Sequence, residues 1–283
     1  MGIDPGAAIG GVQLRVSDLE RSLALYRDVL GFTELDRSGA RATLGAGGRA
    51  FVVLRQLSSA VPRPRRTTGL YHVAYLFPDR LRLGQALARL AAARWPLQGA
   101  ADHGVSEAIY LADPDGLGIE IYHDRPRDGW PHHGSELVMG TEPLDLRALL
   151  DEAAAAGEIP AAAPPATRIG HVHLQVSDLA HAGEFYHGAL GLDVMQRMGG
   201  SALFVSAGGY HHHVGLNTWG VAGAPPSPSD APGLDHFDLA LPTQAALDAT
   251  RQAMAAQGVR LEPRDGGWMG RDPSGNAVRL VAA

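Results

Sequence analysis

The stretches GVQLRVSDLERSLALYRDVLGF at 11–32 and HVHLQVSDLAHAGEFYHGALGL at 171–192 are two copies of one pattern. Both contain VSDL, a tyrosine and, shortly after it, a Leu-Gly pair. Each opens with alternating apolar residues, which is the pattern of a strand, and continues with apolar residues at helical spacing. Asp18 is placed to cap the helix and Gly31 to end it. The pattern therefore predicts a strand followed by a helix, used twice.

Two further repeats divide the chain more finely. GLYHVAYLFP at 69–78 matches GLDHFDLALP at 233–242, and DPDG at 113–116 matches DPSG at 272–275. Short strands between glycine-containing turns complete each repeat, so the predicted unit is a βαβββ module. The predicted modules cover 8–58, 68–124, 167–219 and 233–283.

Residues 125–166 do not repeat and include the Ala- and Pro-rich run GEIPAAAPPAT. This composition predicts a linker between two halves of the chain, with a short helix at LDLRALLDEAAA.

The composition and net charge exclude several classes of function. The chain has 283 residues and no cysteine, which excludes disulfides, thiolate catalysis and cysteine-based metal sites. The formal net charge is −6 and no long basic run occurs, so nucleic-acid binding is not expected. No apolar stretch approaches the roughly 20 residues of a membrane span, and the N-terminus does not have the pattern of a signal peptide. A cytoplasmic protein is expected, and sheet edges between modules favour a homodimer.

The repeated module, its strand–VSDL–helix–YxxxLG opening and its closing DPxGxxxE strand resemble the vicinal oxygen chelate superfamily. This group includes glyoxalase I, bleomycin-resistance proteins and extradiol dioxygenases. The resemblance implies an α+β fold of four βαβββ modules in two tandem domains, 8–124 and 167–283, joined by the linker 125–166. The phrases GLYHVA, DHGVSEAIYLADPDG, MGTEPLDL and SAGGYHHHVGLNTW together resemble bacterial catechol-2,3-dioxygenase-like proteins.

In this superfamily, metal ligands come from the first and last strands of the modules. The first-strand positions are Gly11, His72, His171 and His236, and the last-strand positions include Glu120 and Arg279. Modules two and three would supply His72, Glu120 and His171, the two-histidine, one-carboxylate set of non-heme Fe(II) oxygenases. Modules three and four would instead place Arg279, which has no lone pair to offer, where a carboxylate belongs. The pairing of modules two and three is favoured, and His236 is interpreted as a core or surface histidine rather than a ligand.

Two residues upstream of Glu120 resemble the substrate-pocket pair of extradiol dioxygenases. His103 and Tyr110 match the histidine and tyrosine of that pattern, and both are predicted to orient the substrate or stabilise developing charge. A solvated loop histidine and a half-buried strand tyrosine are the alternative interpretations.

The run His211-His212-His213 is interpreted as part of the last strand of the third module, where alternation would point His212 away from its two neighbours. The resemblance favours His212 as the acid–base residue and keeps His213 as the alternative.

The function implied by the resemblance is extradiol cleavage of a catechol by O2 at Fe(II), with Mn(II) as the alternative metal. Two rivals remain at this stage. One is a glyoxalase-like metal-dependent isomerase or lyase, which needs no oxygen, and the other is a metal-free small-molecule (drug) binding protein. A shared fold does not separate them.

Overall fold

The computed structural model describes residues 2–134 and 136–283. Its residues divide into two compact units. The first unit takes in the described residues up to Arg15 together with Ala60–Tyr71 and Gly170–Ala283, and the second takes in Val16–Ser59 and His72–Ile169.

Strands are the main secondary structure of the described residues, and their bounds are as follows: β1 Ala8–Val16, β2 Thr33–Ser38, β3 Arg41–Ala46, β4 Arg49–Gln56, β5 Gly69–Leu76, β6 Leu97–Asp102, β7 Ser106–Ala112, β8 Gly118–Asp124, β9 His132–His133, β10 Glu136–Leu137, β11 Arg168–Gln175, β12 Asp193–Met198, β13 Ala202–Ser206, β14 Val214–Asn217, β15 Gly233–Leu241, β16 Glu262–Arg264, β17 Gly267–Arg271 and β18 Ala277–Ala282.

The helices are shorter than the strands in total and have these bounds: α1 Leu19–Tyr26, α2 Arg80–Ala92, α3 Leu146–Ala155, α4 Leu179–Gly183 and α5 Gln244–Ala256, with a 3-10 turn at Arg127–Gly129 and a π-helical turn at Glu184–Ala189. Within the described residues, no helix has the length and apolar character of a membrane span.

The element order confirms the predicted modules, because each of the four reads strand, helix and three strands. The strands form two eight-stranded sheets, and β9 pairs with β10 separately. The α+β fold of tandem repeats is therefore confirmed.

Each module places its first strand beside its last strand where the register is described. β5 runs parallel to β8 with His72 opposite Gly118 and Ala74 opposite Glu120. β11 pairs with β14 and β15 with β18 in the same parallel manner. Side chains two residues apart share a face of a strand, so this pairing sets first-strand and last-strand side chains next to each other.

The VSDL motif has a local structural role. The carboxylate of Asp18 accepts a hydrogen bond from the backbone N–H of Arg21, and Asp178 accepts one from His181. Both are N-caps that satisfy an otherwise unpaired donor in the first helical turn. The cap at Asp18 confirms the predicted helix start. The helix ends earlier than expected, at Tyr26, and Gly31 follows a further turn with φ +81°.

The repeated tyrosine and the DPxG aspartate also meet in each half. Tyr26 donates to Asp113 over 3.4 Å, and Tyr186 donates to Asp272 over 3.2 Å. All four side chains are buried, and burial raises the pKa of Asp113 to about 7. The motif thus ties the helix of one module to the closing turn of the next.

Part of the predicted linker 125–166 packs on the second unit. The predicted short helix is present as α3, which begins after the N-cap Asp145 and buries Leu149 and Ala153. It lies so close to α2 that a Cβ atom on Gly84 would be 2.6 Å from the carbonyl oxygen of Leu149. The helix α3 therefore contributes Leu149 and Ala153 to the core of the second unit.

Candidate metal centre

The second unit contains a buried histidine–carboxylate pair on β5 and β8. Nε2 of His72 lies 3.0 Å from Oε2 of Glu120, and the two side chains are 7% and 3% exposed. A carboxylate buried in this way is costly unless a charge or donor compensates it. The spacing suits a hydrogen bond, and it equally suits two neighbouring ligands that each stand about 2.1 Å from one metal ion.

Tyr110 extends this pair toward β7. It lies directly opposite Glu120 in the antiparallel pairing of β7 with β8. Its ring centroid is 5.7 Å from that of His72. The strand register therefore brings three predicted site residues of the second unit together.

His103 joins the same group through Tyr110. Its Nε2 lies 2.6 Å from the hydroxyl oxygen of Tyr110, and its Nδ1 lies 2.6 Å from the carbonyl oxygen of Gly140. A carbonyl only accepts, so Nδ1 carries a proton, and in the neutral ring Nε2 accepts from the Tyr110 hydroxyl. His103 is therefore held by two bonds, which contradicts the alternative of a purely solvated loop residue.

The first unit contains a separate cluster of imidazoles. His171 on β11 lies beside His212 with ring centroids 4.0 Å apart. Nδ1 of His211 lies 2.8 Å from Nδ1 of His212. All three rings are buried. The neighbouring residues His211 and His212 therefore both place their rings beside His171.

The strand interpretation of the triple histidine is wrong. β14 begins only at Val214, and Tyr210–His213 form a bent segment before it. The expected alternation fails because the chain turns through two left-handed glycines, Gly208 at φ +59° and Gly209 at φ +68°. A side chain at Gly208 would also collide with Pro5, whose carbonyl oxygen would be 2.3 Å from the added Cβ.

His213 faces a different environment from its neighbours. The backbone N–H of Ala207 donates to its Nδ1 over 3.2 Å, and Oγ of Ser206 lies 2.9 Å from the same atom. These contacts anchor His213 to the end of β13, which is a structural role.

The matching positions of the fourth module hold an ion-pair network. Arg279 donates to both carboxylate oxygens of Asp238, at 2.7 and 2.8 Å. Nδ1 of His236 lies 2.9 Å from Asp235, and hydrogen bonding from His236 is the main reason that the pKa of Asp235 falls to about 2. The contact with Asp235 therefore engages His236, in keeping with its interpretation as a core histidine rather than a ligand.

Sequence reasoning missed three participants. It assigned no role to His211, and it did not foresee Asp235 and Asp238 as the partners of His236 and Arg279. The alternation of GLDHFDLALP shows Asp238 on the same strand face as His236, which was the available signal. For His211 no such signal exists, because its direction depends on the glycine turn.

This fold is that of a large superfamily of enzymes and binding proteins. The family model of the Glyoxalase/Bleomycin resistance protein/Dioxygenase superfamily matches residues 8–121 and 168–280. The chain belongs to this superfamily.

Among curated proteins, the chain is 46% identical to a catechol-2,3-dioxygenase of Bacillus subtilis (strain 168) over 278 residues, which is 96% of each chain. The resemblance predicted from the motifs is confirmed, and with it the expectation of a catechol-2,3-dioxygenase-like enzyme.

Solved structures agree on the fold. A putative dioxygenase from Bacillus subtilis superposes with a TM-score of 0.70 at 13% identity, covering 97% of this chain and 84% of the other. Glyoxalase I from Zea mays superposes with a TM-score of 0.57 at 17% identity, covering 98% and 92%. At these identities the likeness describes architecture and not activity.

Proposed function

We propose that the protein is an extradiol ring-cleaving dioxygenase that acts on catechol or a substituted catechol with O2 at a mononuclear Fe(II). The observation that carries the proposal is the 46% identity, over nearly the whole chain, to a catechol-2,3-dioxygenase. The buried His72–Glu120 pair supports it, since a metal explains why a carboxylate is retained inside an apolar strand.

The donor set suits ferrous iron. We assign His72, Glu120 and His171 as its ligands. Two imidazoles and one carboxylate form the ligand set of non-heme Fe(II) oxygenases, and all three side chains are buried. Mn(II) accepts similar oxygen and nitrogen donors and is the alternative metal.

Bound Fe(II) would supply open coordination positions for the two vicinal oxygens of a catechol and for O2, together with the one-electron chemistry that O2 requires. In the overall reaction, the ring carbon–carbon bond beside the diol breaks and both oxygen atoms enter the product, a hydroxymuconic semialdehyde. No external reductant is consumed.

His212 is assigned as the acid–base residue. Its Nδ1 is engaged by His211, so Nε2 is the atom that would accept a proton from the substrate and return it. His213 remains the alternative, but its Nδ1 is held by Ala207 and Ser206 at the end of β13. These contacts favour His212.

Tyr110 and His103 are assigned to substrate orientation. With Nδ1 of His103 committed to Gly140, the Tyr110 hydroxyl donates to Nε2 and presents its oxygen lone pairs to a ligand. Such a fixed oxygen can accept a hydrogen bond from a catechol hydroxyl.

The decisive experiment pairs Glu120→Ala with Arg279→Ala, since these two residues hold matching positions in modules two and four. Each protein is loaded with Fe(II) without air, its iron is counted, and O2 uptake and yellow ring-cleavage product are followed with a panel of catechols. We expect Glu120→Ala to lose both iron and activity, and Arg279→Ala to keep bound iron.

Iron retained in Glu120→Ala would contradict the ligand assignment. Iron bound by the wild type without O2 uptake on any catechol would contradict the dioxygenase proposal and favour a glyoxalase-like reaction. Failure of the wild type to bind any metal would favour a metal-free binding protein.

A further inference from the structure

The imidazole cluster of the first unit holds more donors than the proposed iron site uses. His171, His211 and His212 each place a ring nitrogen within 4.8 Å of the others, and all three rings are buried. We propose that these histidines form a second metal site, selective for Zn(II) and similar nitrogen-preferring ions, whose occupation inhibits the enzyme.

The spacing is close to that of a zinc site. Zinc–imidazole bonds are about 2.0–2.1 Å long, so two nitrogens on a tetrahedral ion stand about 3.3–3.4 Å apart. Nδ1 of His211 and Nδ1 of His212 lie 2.8 Å apart, and a ring nitrogen of His171 lies within 4.8 Å of each of these residues. Rotamer adjustments of under about 1.5 Å would bring the three rings to one ion. Three imidazoles leave the fourth position to water.

Donor chemistry separates this cluster from the proposed iron set. It offers three imidazole nitrogens and no carboxylate, whereas His72, Glu120 and His171 include a hard oxygen donor. Nitrogen-rich sites bind Co(II), Ni(II), Cu(II) and Zn(II) more tightly than Fe(II) or Mn(II). The set with a carboxylate follows the same order, but its hard oxygen donor suits Fe(II) better, so the all-imidazole cluster is expected to favour Zn(II) over Fe(II) by the larger factor.

The two sets share His171, and this sharing makes the second site inhibitory, an inference that rests on the proposed function. An ion held by His171, His211 and His212 withdraws a ligand from iron and also engages the assigned acid–base residue His212. His211 is then the residue that distinguishes the zinc site, because it alone of the three is neither an assigned iron ligand nor the assigned acid–base residue.

The test compares His211→Phe with Glu120→Gln in the full-length, metal-free protein. Phenylalanine keeps a ring against Tyr210, whose centroid lies 4.1 Å from that of His211, but removes the ligand. Zn(II) and Fe(II) affinities are measured separately by competition with a chelating dye. Loss of a ligand is expected to weaken Zn(II) binding by more than about 100-fold in His211→Phe. Glu120→Gln should keep Zn(II) binding and lose Fe(II).

Zn(II) bound by His211→Phe as tightly as by the wild type would overturn the proposal. X-ray absorption of the Zn(II)-loaded wild type provides a second measurement that does not depend on how the variant folds. Three imidazole ligands support the proposal, whereas two imidazoles with a carboxylate overturn it. The proposed function fails separately, through absent O2 uptake by the iron-loaded wild type, and that result leaves the zinc measurements intact.

Discussion

At the scale of single residues, His72 and His236 show that a shared position does not fix a role. Both are the fourth residue of a repeated GLxH strand, and both are buried. His72 meets Glu120, while His236 lies between two aspartates, one of which is clamped by Arg279. The last-strand position of the fourth module holds a cation, Arg279, which pairs with Asp238 and has no lone pair to offer a metal.

Tyr110 is the residue for which the structure gives the sharpest expectation. Tyr110→Phe removes the hydroxyl that bonds His103 but leaves the ring beside His72. Loss of one oriented hydrogen bond should lower kcat/KM for catechol by about 10- to 100-fold. Iron content should stay unchanged, because the hydroxyl is not an assigned ligand. Steady-state O2 uptake and iron analysis measure the two quantities.

Tyr71→Phe is the matched control, since Tyr71 is 40% exposed and is assigned no role in the reaction. We expect its kcat/KM to equal that of the wild type. Equal losses in both variants, or loss of iron in Tyr110→Phe, would assign Tyr110 a structural role instead.

At the scale of elements, the two AGG turns explain why the triple histidine could not be placed from sequence. In the first module, Gly47 and Gly48 form a tight turn, and β4 begins immediately afterwards at Arg49. In the third module the matching glycines, Gly208 and Gly209, are followed by Tyr210–His213 before β14 begins. The sequence signal of the turn is identical, and the difference lies in pairing partners that a local pattern does not contain.

The packing of α3 on α2 gives a stability prediction based on two helical glycines. Gly84→Ala places a Cβ atom 2.6 Å from the carbonyl oxygen of Leu149, a backbone atom that moves only with its helix. We expect a loss of about 1–3 kcal/mol in the free energy of unfolding, as for other overpacked sites. Urea denaturation followed by circular dichroism measures it.

Gly183 in α4 is the control, because a Cβ atom there would first meet Cδ2 of Leu203 at 3.5 Å, an ordinary contact. Gly183→Ala should be neutral or stabilising by up to about 1 kcal/mol, since alanine favours a helix. If Gly84→Ala is as stable as Gly183→Ala, α3 is not closely packed on α2.

At the scale of the whole molecule, the repeats explain how much the sequence reveals. VSDL, the tyrosine and DPxG recur because each encodes a contact that every half needs, namely a helix cap and a buried Tyr–Asp bond. Module order and strand positions follow from such repeats. The meeting of His103 with Gly140, or of His211 with His212, depends on loop conformation, which has no periodic signal. The fold was therefore more predictable than the site.

The two DPxG aspartates also differ in a way that the repeat conceals. Asp272 accepts a hydrogen bond from the Asn276 side chain at 2.9 Å, whereas Leu117 occupies the matching place beside Asp113. Burial raises the pKa of both carboxyls, but Asp113 has no such amide donor, and its pKa is raised from 3.8 to about 7. The ionised form of Asp113 is thus the more poorly compensated charge.

This difference predicts the pH dependence of stability. Between pH 3.8 and about 7 the folded protein keeps a proton on Asp113 that the unfolded chain has released, so its contribution to stability falls as pH rises through this window. Asp113→Asn should remove this slope, which is about 1.4 kcal/mol in the free energy of unfolding per pH unit. The amide oxygen of the new side chain can still accept hydrogen bonds from the backbone N–H groups of Asp115 and Leu117.

Asp272→Asn should instead lose stability at every pH, because its amide nitrogen would face the amide nitrogen of Asn276. Urea midpoints of the three proteins from pH 5 to pH 8 measure this, and a wild-type slope that persists in Asp113→Asn would mean that another group carries it.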